Sequence, residues 1–335
     1  MKRATIKDIA VLAGVNISTV SRALKDHPDI GLNLRTKIKQ LAHELHYHPN
    51  MFAIQLRKQK SNTIGLIIPE ANMFFVPSVI KGISNIVQAH GYRLLVMQSG
   101  ENFEQELENV KICQEYGVEG LLMSLTNETE NLDHLLELKD SGIPVVLIDK
   151  VLSNSDFDEV IIDDVDATQR CVNYLIDSGC KKILGLFGNF NMMITRKRLE
   201  GFTNLIETKQ KQYNLIAEHK FVQNTFSAWA CLEQIFPEFQ PDGIFAMSDE
   251  IIAGVIPALK KLKVRIPEDC SVIGISDGYL PKILDPSLTF LYHDGFALGR
   301  MAAKHLIEKL NQSVTENYQK HLILSTELVI GDSTK

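Results

Sequence analysis

TIKDIAVLAGVNISTVSRAL, residues Thr5 to Leu24, is the stretch from which the rest of the chain can be read. Ile6, Ile9, Ala10 and Ala13 recur at i, i+3, i+4 and i+7, the apolar stripe of a short helix. Thr5 stands where an N-cap belongs, and Asp8 follows three residues later in capping-box position. Gly14 ends the helix and permits a tight turn. Asn16 is a strong N-cap for a second helix, on which Val20, Ala23 and Leu24 cluster on one side at about 100° per residue. Ile17, Ser18, Ser21 and Arg22 occupy the other side. These group types can read the edge of a DNA major groove: Arg reads guanine, Ser several bases, and an aliphatic side chain the thymine methyl. The spacing predicts a DNA-reading helix-turn-helix.

Outward from this stretch the segment stays basic. Residues 1–60 carry 11 Lys/Arg against 4 Asp/Glu, a charge of +7 within a chain of 335 residues whose net charge is −6, which leaves −13 for the remainder. A basic head on an acidic body suits a polyanionic partner for the head alone. A third helix is expected over Asn33–Leu45, with Leu34, Ile38, Leu41 and Leu45 as its stripe and Asn33 as a substitute cap behind Gly31. His48-Pro49-Asn50 then breaks the pattern, because the residue before Pro is pushed out of helix. Asn50 can cap a short helix, Met51 to Arg57, that is too short to be stable alone in water. Arg57, Lys58 and Lys60 can hold phosphates.

After Ser61-Asn62 the pattern becomes strands alternating with helices. The strands of a first set are expected at Thr63–Pro69, Tyr92–Gln98, Gly120–Ser124 and Pro144–Asp149, with helices over Pro77–His90, Phe103–Tyr116 and Asn131–Ser141. A second set has strands near Val160–Asp163, Lys182–Phe187, Gly243–Met247 and Val272–Ser276, with helices near Ala167–Ser178, Thr195–Lys209, Ser227–Phe236 and Glu250–Leu262. Leu288–Leu310 and Leu322–Leu324 add one more helix and strand. Such alternation means parallel sheets covered by helices on both faces, and the hydrophobic content of 45% supports real cores. In folds of this kind a ligand sits beyond the carboxyl ends of the strands, so two such domains place it in the cleft between them. The first strand is followed by no GxGxxG and no P-loop, so nucleotide binding lacks its usual phosphate cradle. The five cysteines (Cys113, Cys171, Cys180, Cys231 and Cys270) are odd in number, scattered and without a CxxC pair. They read as reduced packing residues with no metal site.

The Thr5–Leu24 segment resembles the headpiece of the lactose-repressor (LacI) family of transcription regulators. The match continues through His48-Pro49-Asn50 and the strand IGLIIP (residues 64–69), and more loosely to the C-terminus. It implies an all-α helix-turn-helix headpiece over 1–49 and a hinge helix and linker over 50–60. An α/β periplasmic-binding-protein-like core of two doubly wound parallel-sheet subdomains then fills 61–335. The family crosses three times between its subdomains, near 160, 290 and 325. That implies an N-subdomain of about 61–160 and 291–324 and a C-subdomain of about 161–290 and 325–335. The resemblance gives Arg22, Ser18 and Ile17 the bases to read, and Thr5, Asn16, Thr19 and Ser21 the DNA backbone. Asn50, Ala53, Leu56 and Arg57 become hinge contacts, Leu56 being a wedge for the minor groove; its plainer reading is a packing leucine.

The cleft candidates come from both arguments. Asp149 ends the apolar strand VVLID, where a carboxylate can accept hydrogen bonds from ligand hydroxyls, and it matches a ligand-facing Asp of the family. Arg198 lies in TRKRLEGF, similar to a motif whose second arginine reaches the ligand. Ser276 and Asp277 lie in VIGISDG, where the family usually has two polar or acidic residues. Phe226 matches an often aromatic position that stacks on a sugar face; Phe74, Phe75 and Ser78 match the other wall, and Ser248 and His293 are further matches. Each has a plainer reading. Asp149 and Asp277 can be turn or helix caps, Arg198 can pair with Glu200 or another surface acid, Phe75 and Phe226 can be core, and His293 can be a satisfied histidine. Asp249 is expected to cap the helix that follows it.

No GxSxG elbow, HExxH or paired-carboxylate motif stands out, so the sequence is read as no enzyme. The expectation is a cytoplasmic homodimeric regulator, a repressor, on a palindromic operator in double-stranded DNA. It needs no cofactor, and a small effector, a sugar or sugar derivative, controls it. A protein co-effector stays open. The N-terminus shows no apolar signal region, and no stretch is long enough to span a membrane. The tail lacks the leucine heptads of a tetramerising helix. A periplasmic-type sugar-binding protein is the alternative that shares the two-domain plan, and the basic headpiece argues against it. A sugar-metabolising enzyme is a third class, which turnover of a bound ligand would reveal.

Overall fold

A computed structural model describes residues 4–47, 61–72, 74–152, 155–311 and 320–335. The chain divides into two units, Met1–Ser61 and Asn62–Lys335.

The first unit holds three helices among its described residues: α1 (Ile6–Ala13), α2 (Ile17–Leu24) and α3 (Leu32–Glu44). The capping box of α1 is formed in both directions, the Thr5 N–H donating to the Asp8 carboxylate at 2.7 Å and the Asp8 N–H to Thr5 Oγ1 at 3.4 Å. Gly14 takes the left-handed conformation, φ +71°, that ends α1 and costs a glycine nothing. Asn16 caps α2, accepting the Thr19 N–H at 2.8 Å. The start of α3 departs from expectation. Its N-cap is Gly31, with no side-chain cap, and Asn33 is the second residue of the helix, two residues too late to replace it. The three helices close over Ile9, Val20 and Ile38, all wholly buried, with Ala10, Ala13, Ala23 and Ile30 around them. Each large apolar side chain removed from water contributes roughly 1.5–3 kcal/mol.

The second unit is built on two six-stranded sheets. The first contains β1 (Thr63–Ile68), β2 (Arg93–Gln98), β3 (Gly120–Met123), β4 (Val145–Ile148), β5 (Asp158–Ile162) and β11 (His321–Leu324), in the order β11-β5-β4-β3-β1-β2. All its pairings are parallel. Helices α4 (Val76–Ala89), α5 (Phe103–Glu115) and α6 (Asp133–Asp140) connect its strands. Side-chain alternation splits β1 between two cores. Ile64, Leu66 and Ile68 pack with Val79 and Ile83 of α4, while Ile67 points the other way among Val110, Cys113, Leu135 and Leu138 of α5 and α6.

The second sheet contains β6 (Lys182–Phe187), β7 (Ile216–Phe221), β8 (Gly243–Ala246), β9 (Ser271–Ser276), β10 (Thr289–Tyr292) and β12 (Glu327–Val329), ordered β12-β10-β9-β8-β6-β7. Its pairings are parallel except for the antiparallel β10–β12 pair. Its helices are α7 (Asp164–Asp177), α8 (Met193–Tyr213), α9 (Thr225–Phe239), α10 (Asp249–Lys261) and the short α11 (Tyr279–Ile283). The last helix, α12 (Gly295–Leu310), follows β10 but packs in the core of the first sheet through Leu298, Ala302 and Leu306.

Two features of the sheets differ from the sequence expectation. The strand expected near Val160–Asp163 as the start of the second set is β5, and it pairs with β4 in the first sheet (Val146 opposite Asp158). Strands β7, β10 and β12 were not expected. β7 reads IAEHKF with nearly every side chain exposed, an edge strand without the apolar run that marks a buried one. The five cysteines are all free thiols, four of them buried. Among the described residues no helix is long and apolar enough to cross a membrane, and no group of His, Cys, Asp and Glu is arranged to hold a metal.

Candidate functional site

Two surfaces carry the candidate residues. The first is the outer face of α2. Ile17 is 42% exposed despite being apolar, and Ser18 and Arg22 are exposed beside it. Arg22 lies 3.9 Å from the Asp29 carboxylate, both well exposed. Such a pair is worth at most about 1 kcal/mol and leaves the guanidinium free to exchange partners. Thr5 and Asn16 hold the helix caps, the Thr19 hydroxyl donates to Asn16 Oδ1 at 2.8 Å, and Ser21 is half-buried. Asn50, Ala53, Leu56 and Arg57, the expected hinge contacts, lie outside the described residues.

The second is a cavity of about 380 Å³ in the two-sheet unit. Its walls are the segments that follow the strands: Ser124 after β3, Asp149 after β4, Asn189 after β6, Ser248 after β8, Asp277 after β9 and His293 after β10. This is the carboxyl-end position that parallel α/β sheets reserve for ligands. Of the ten residues expected there, seven line it: Phe75, Asp149, Arg198, Ser248, Ser276, Asp277 and His293.

Three do not. Phe226, the expected stacking aromatic, is 81% exposed and lines no part of the cavity. It is the second residue of α9, whose first residue Thr225 takes the lining position and donates its hydroxyl to the Glu250 carbonyl at 2.8 Å. One step of about 100° then carries Phe226 to solvent. Phe74 packs against the core of the second sheet. Ser78 acts one layer back, donating to Asp277 Oδ2 at 2.9 Å.

Electrostatics separates the charged lining. Arg198 is 3% exposed, and its Nε donates to Asp164 at 2.8 Å while Nη1 donates to the Met247 carbonyl. It is therefore not the partner of Glu200, which Lys197 reaches at 3.5 Å. Asp149 has φ +59°, a left-handed conformation that an Asp adopts only at a cost. It caps no helix; Asp163 is the cap of α7. Burial pushes its carboxyl up to about 6, with Arg198 opposing and the Asp164 charge adding.

Asp249 was expected to cap α10, and the structure corrects this. Ser248 is the N-cap residue and makes no side-chain cap, while Asp249 is the first helical residue, 4% exposed, and lines the cavity. Its Oδ2 accepts the Asp277 N–H at 3.3 Å, and its Oδ1 has no partner. Burial pushes its carboxyl up to about 7, opposed by the Ser276 hydrogen bond and increased by Asp277 and Glu250. A helix N-terminus favours an anion by only about 0.3–1 kcal/mol, so burial prevails. His293 is also 4% exposed, with its ring stacked on Phe75 at 4.1 Å and Nε2 unpartnered. Burial, then Arg198, pushes it down to about 3, so it is a neutral imidazole at neutral pH.

Sequence reasoning missed Asp164 and the lining role of Asp249. Asp164 sits in the acidic run DDVD after β5, which reads as helix-cap chemistry. The strand-end position of Asp249, two residues after Met247, was the available signal.

A helix-turn-helix unit followed by a two-sheet unit with a cavity at its strand ends defines a DNA-binding regulator with a ligand-binding domain. The chain belongs to the LacI family of bacterial regulatory proteins. The model of that family's regulatory domain matches residues 5–50, and that of periplasmic binding proteins and the sugar binding domain of the LacI family matches residues 61–325. The chain is 29% identical over 334 residues to the HTH-type transcriptional repressor PurR of Vibrio vulnificus (strain CMCP6), covering 99% of each. It is 28% identical over 318 residues to catabolite control protein A of Priestia megaterium, covering 93% of this chain and 94% of that protein. Its fold matches the crystal structure of the lac repressor dimer bound to operator and the anti-inducer ONPF, with a TM-score of 0.86, 22% identity and 99% of each chain covered.

Proposed function

We propose that the protein is a cytoplasmic, homodimeric repressor that binds a palindromic operator and is switched by a small molecule, a sugar or sugar derivative, in the cavity. The similar lac repressor structure is a dimer on operator DNA, and one of the matching family models is named for a sugar binding domain. The domain boundaries follow from this reading: headpiece 1–49, hinge and linker 50–60, effector and dimerisation region 61–335. Within that region the N-subdomain is about 61–160 and 291–324, and the C-subdomain about 161–290 and 325–335.

In each subunit α2 enters a major groove, with Arg22, Ser18 and Ile17 reading bases and Thr5, Asn16, Thr19 and Ser21 positioning the backbone. Asn50, Ala53, Leu56 and Arg57 act between the two half-sites. Phe75, Asp149, Arg198, Ser248, Ser276, Asp277 and His293 form the effector site. The effector acts only through its different affinities for the operator-bound and free states.

The observation that carries the reading is the exposed Ile17–Ser18–Arg22 face on a doubly capped helix-turn-helix. Selection from random duplexes identifies the operator, and fluorescence anisotropy then compares wild type with Arg22→Ala. The variant is expected to lose operator preference by about 1–3 kcal/mol while keeping most of its affinity for unrelated DNA. Equal losses on both would make Arg22 a phosphate contact and remove it from base reading.

A further inference from the structure

The charge balance of the cavity is one-sided. Its lining holds six acidic residues (Glu70, Glu101, Asp149, Asp249, Glu250 and Asp277) and two cations, Lys150 and Arg198. Both cations are engaged by the protein. Lys150 is ion-paired with Glu101 and reaches Asn127 Oδ1 at 3.3 Å, and Arg198 is bound to Asp164 and the Met247 carbonyl. Asp277 is satisfied too, accepting from the Ser78 hydroxyl and from the Tyr279 N–H at 3.1 Å.

Asp249 stands apart. It is buried, it lines the cavity, and its Oδ1 has no partner. A buried acceptor left without a donor is costly, so a ligand that brings one gains what the protein alone lacks. A phosphate or carboxylate ligand would enter a field of its own sign, with no uncommitted cation among the described lining residues to meet it. A neutral polyol would bring donors but no charge. An ammonium group brings three donors and the opposite charge.

Resting on the reading of the cavity as the effector site, we propose that it selects a polyhydroxylated ligand carrying an ammonium group, an amino sugar being the simplest case. The ammonium favours the charged form of the Asp249 carboxyl, displacing its proton to solvent, and donates to Oδ1; the Asp149 charge adds to the attraction. A ligand hydroxyl meets the unpartnered Nε2 of the neutral His293, beside the Phe75 ring.

The test is isothermal titration calorimetry on the full-length protein with matched sets on one skeleton. The sets are D-glucosamine, D-glucose and D-glucose 6-phosphate, and the corresponding galactose and mannose triplets. In at least one set the amine is expected to bind roughly tenfold or more tightly than the neutral sugar, with no heat from the phosphate. Asp249→Asn is expected to bring the amine-to-neutral ratio close to one, with its urea midpoint reporting that it folds; the wild-type ratio stands without the variant. A neutral sugar or phosphate that matches or exceeds the amine overturns the ammonium preference and leaves the effector site standing. A ratio that survives Asp249→Asn overturns the seat at Asp249. Silence from every member of every set removes both this inference and the sugar-effector reading beneath it.

Discussion

Asp249 shows how one side chain can be read two ways. Ser248-Asp249-Glu250 before an apolar helical pattern is capping chemistry by sequence, yet the structure spends Asp249 on the cavity and leaves α10 without a side-chain cap. The consequence is measurable as a pH dependence. Its folded carboxyl is pushed up to about 7 from an ordinary 3.8. Between those values the folded protein holds a proton that the unfolded chain has released. The group's contribution to stability is therefore full below about pH 4 and is lost as pH rises through about 7. Relative to Asp249→Asn, wild type should lose stability over that window, by at most about 1.4 kcal/mol per pH unit. His293 works in the opposite sense, since its lowered value contributes stability above about 6.5 that is lost towards 3; it is present in both proteins and cancels from the difference. Urea unfolding of the pair at intervals from about pH 4 to 8 checks this, and a difference that stays flat with pH would place Asp249 in contact with water.

The cavity was partly legible at this scale. Asp149, Ser276, Asp277 and His293 all stand at or just beyond strand ends, and strand ends can be recognised in a sequence. Phe226 was placed in the cavity by resemblance alone, and its exposure depends on where α9 begins. A shift of one residue turns a lining position into a solvent position.

At the scale of elements, the apolar strands and the long amphipathic helices were legible because each carries its period along its own length. Partnership was not. β5 reads as an apolar strand, but nothing within Asp158–Ile162 says that it pairs with β4 rather than opening the second sheet. The packing of α12 on α4 is likewise invisible locally. It depends on two glycines far apart in sequence. A Cβ on Gly82 would lie 2.1 Å from the Phe296 carbonyl oxygen, and one on Gly299 would lie 2.3 Å from that of Val79. Both obstacles are backbone, which cannot swing aside as a side chain can. Gly82→Ala must separate the two helices and loosen the core of Val79, Ile83, Leu298 and Ala302 between them. We expect a loss of roughly 1–3 kcal/mol, seen as a lower urea midpoint at unchanged slope. An unaltered midpoint would mean that α12 does not pack closely on α4.

For the whole molecule, the sequence divides itself by charge and by period: a basic segment over 1–60 that opens with helical periods, then an acidic α/β region. Only resemblance suggested that the α/β region would leave its first sheet and come back. In the structure the chain passes to the second sheet after Ile162, returns after Tyr292, and crosses again between Leu324 and Glu327. A cavity whose walls come from both sheets senses their relation to each other. If that relation governs the operator-bound state, then ligand and operator affinities are linked, and linkage is reciprocal. Whatever factor the ligand imposes on operator affinity, the operator must impose on ligand affinity, with a typical coupling of about 1–3 kcal/mol. The sugar or amino sugar giving the largest thermal shift, about 2.7 kcal/mol at about 100 times its Kd, supplies the probe. Its Kd is then measured with and without saturating operator duplex, and the operator Kd with and without saturating probe. The two ratios are expected to agree and to differ from one. Two ratios of one would show a ligand that occupies the cavity without controlling DNA binding, and the effector of this regulator would then have to act elsewhere.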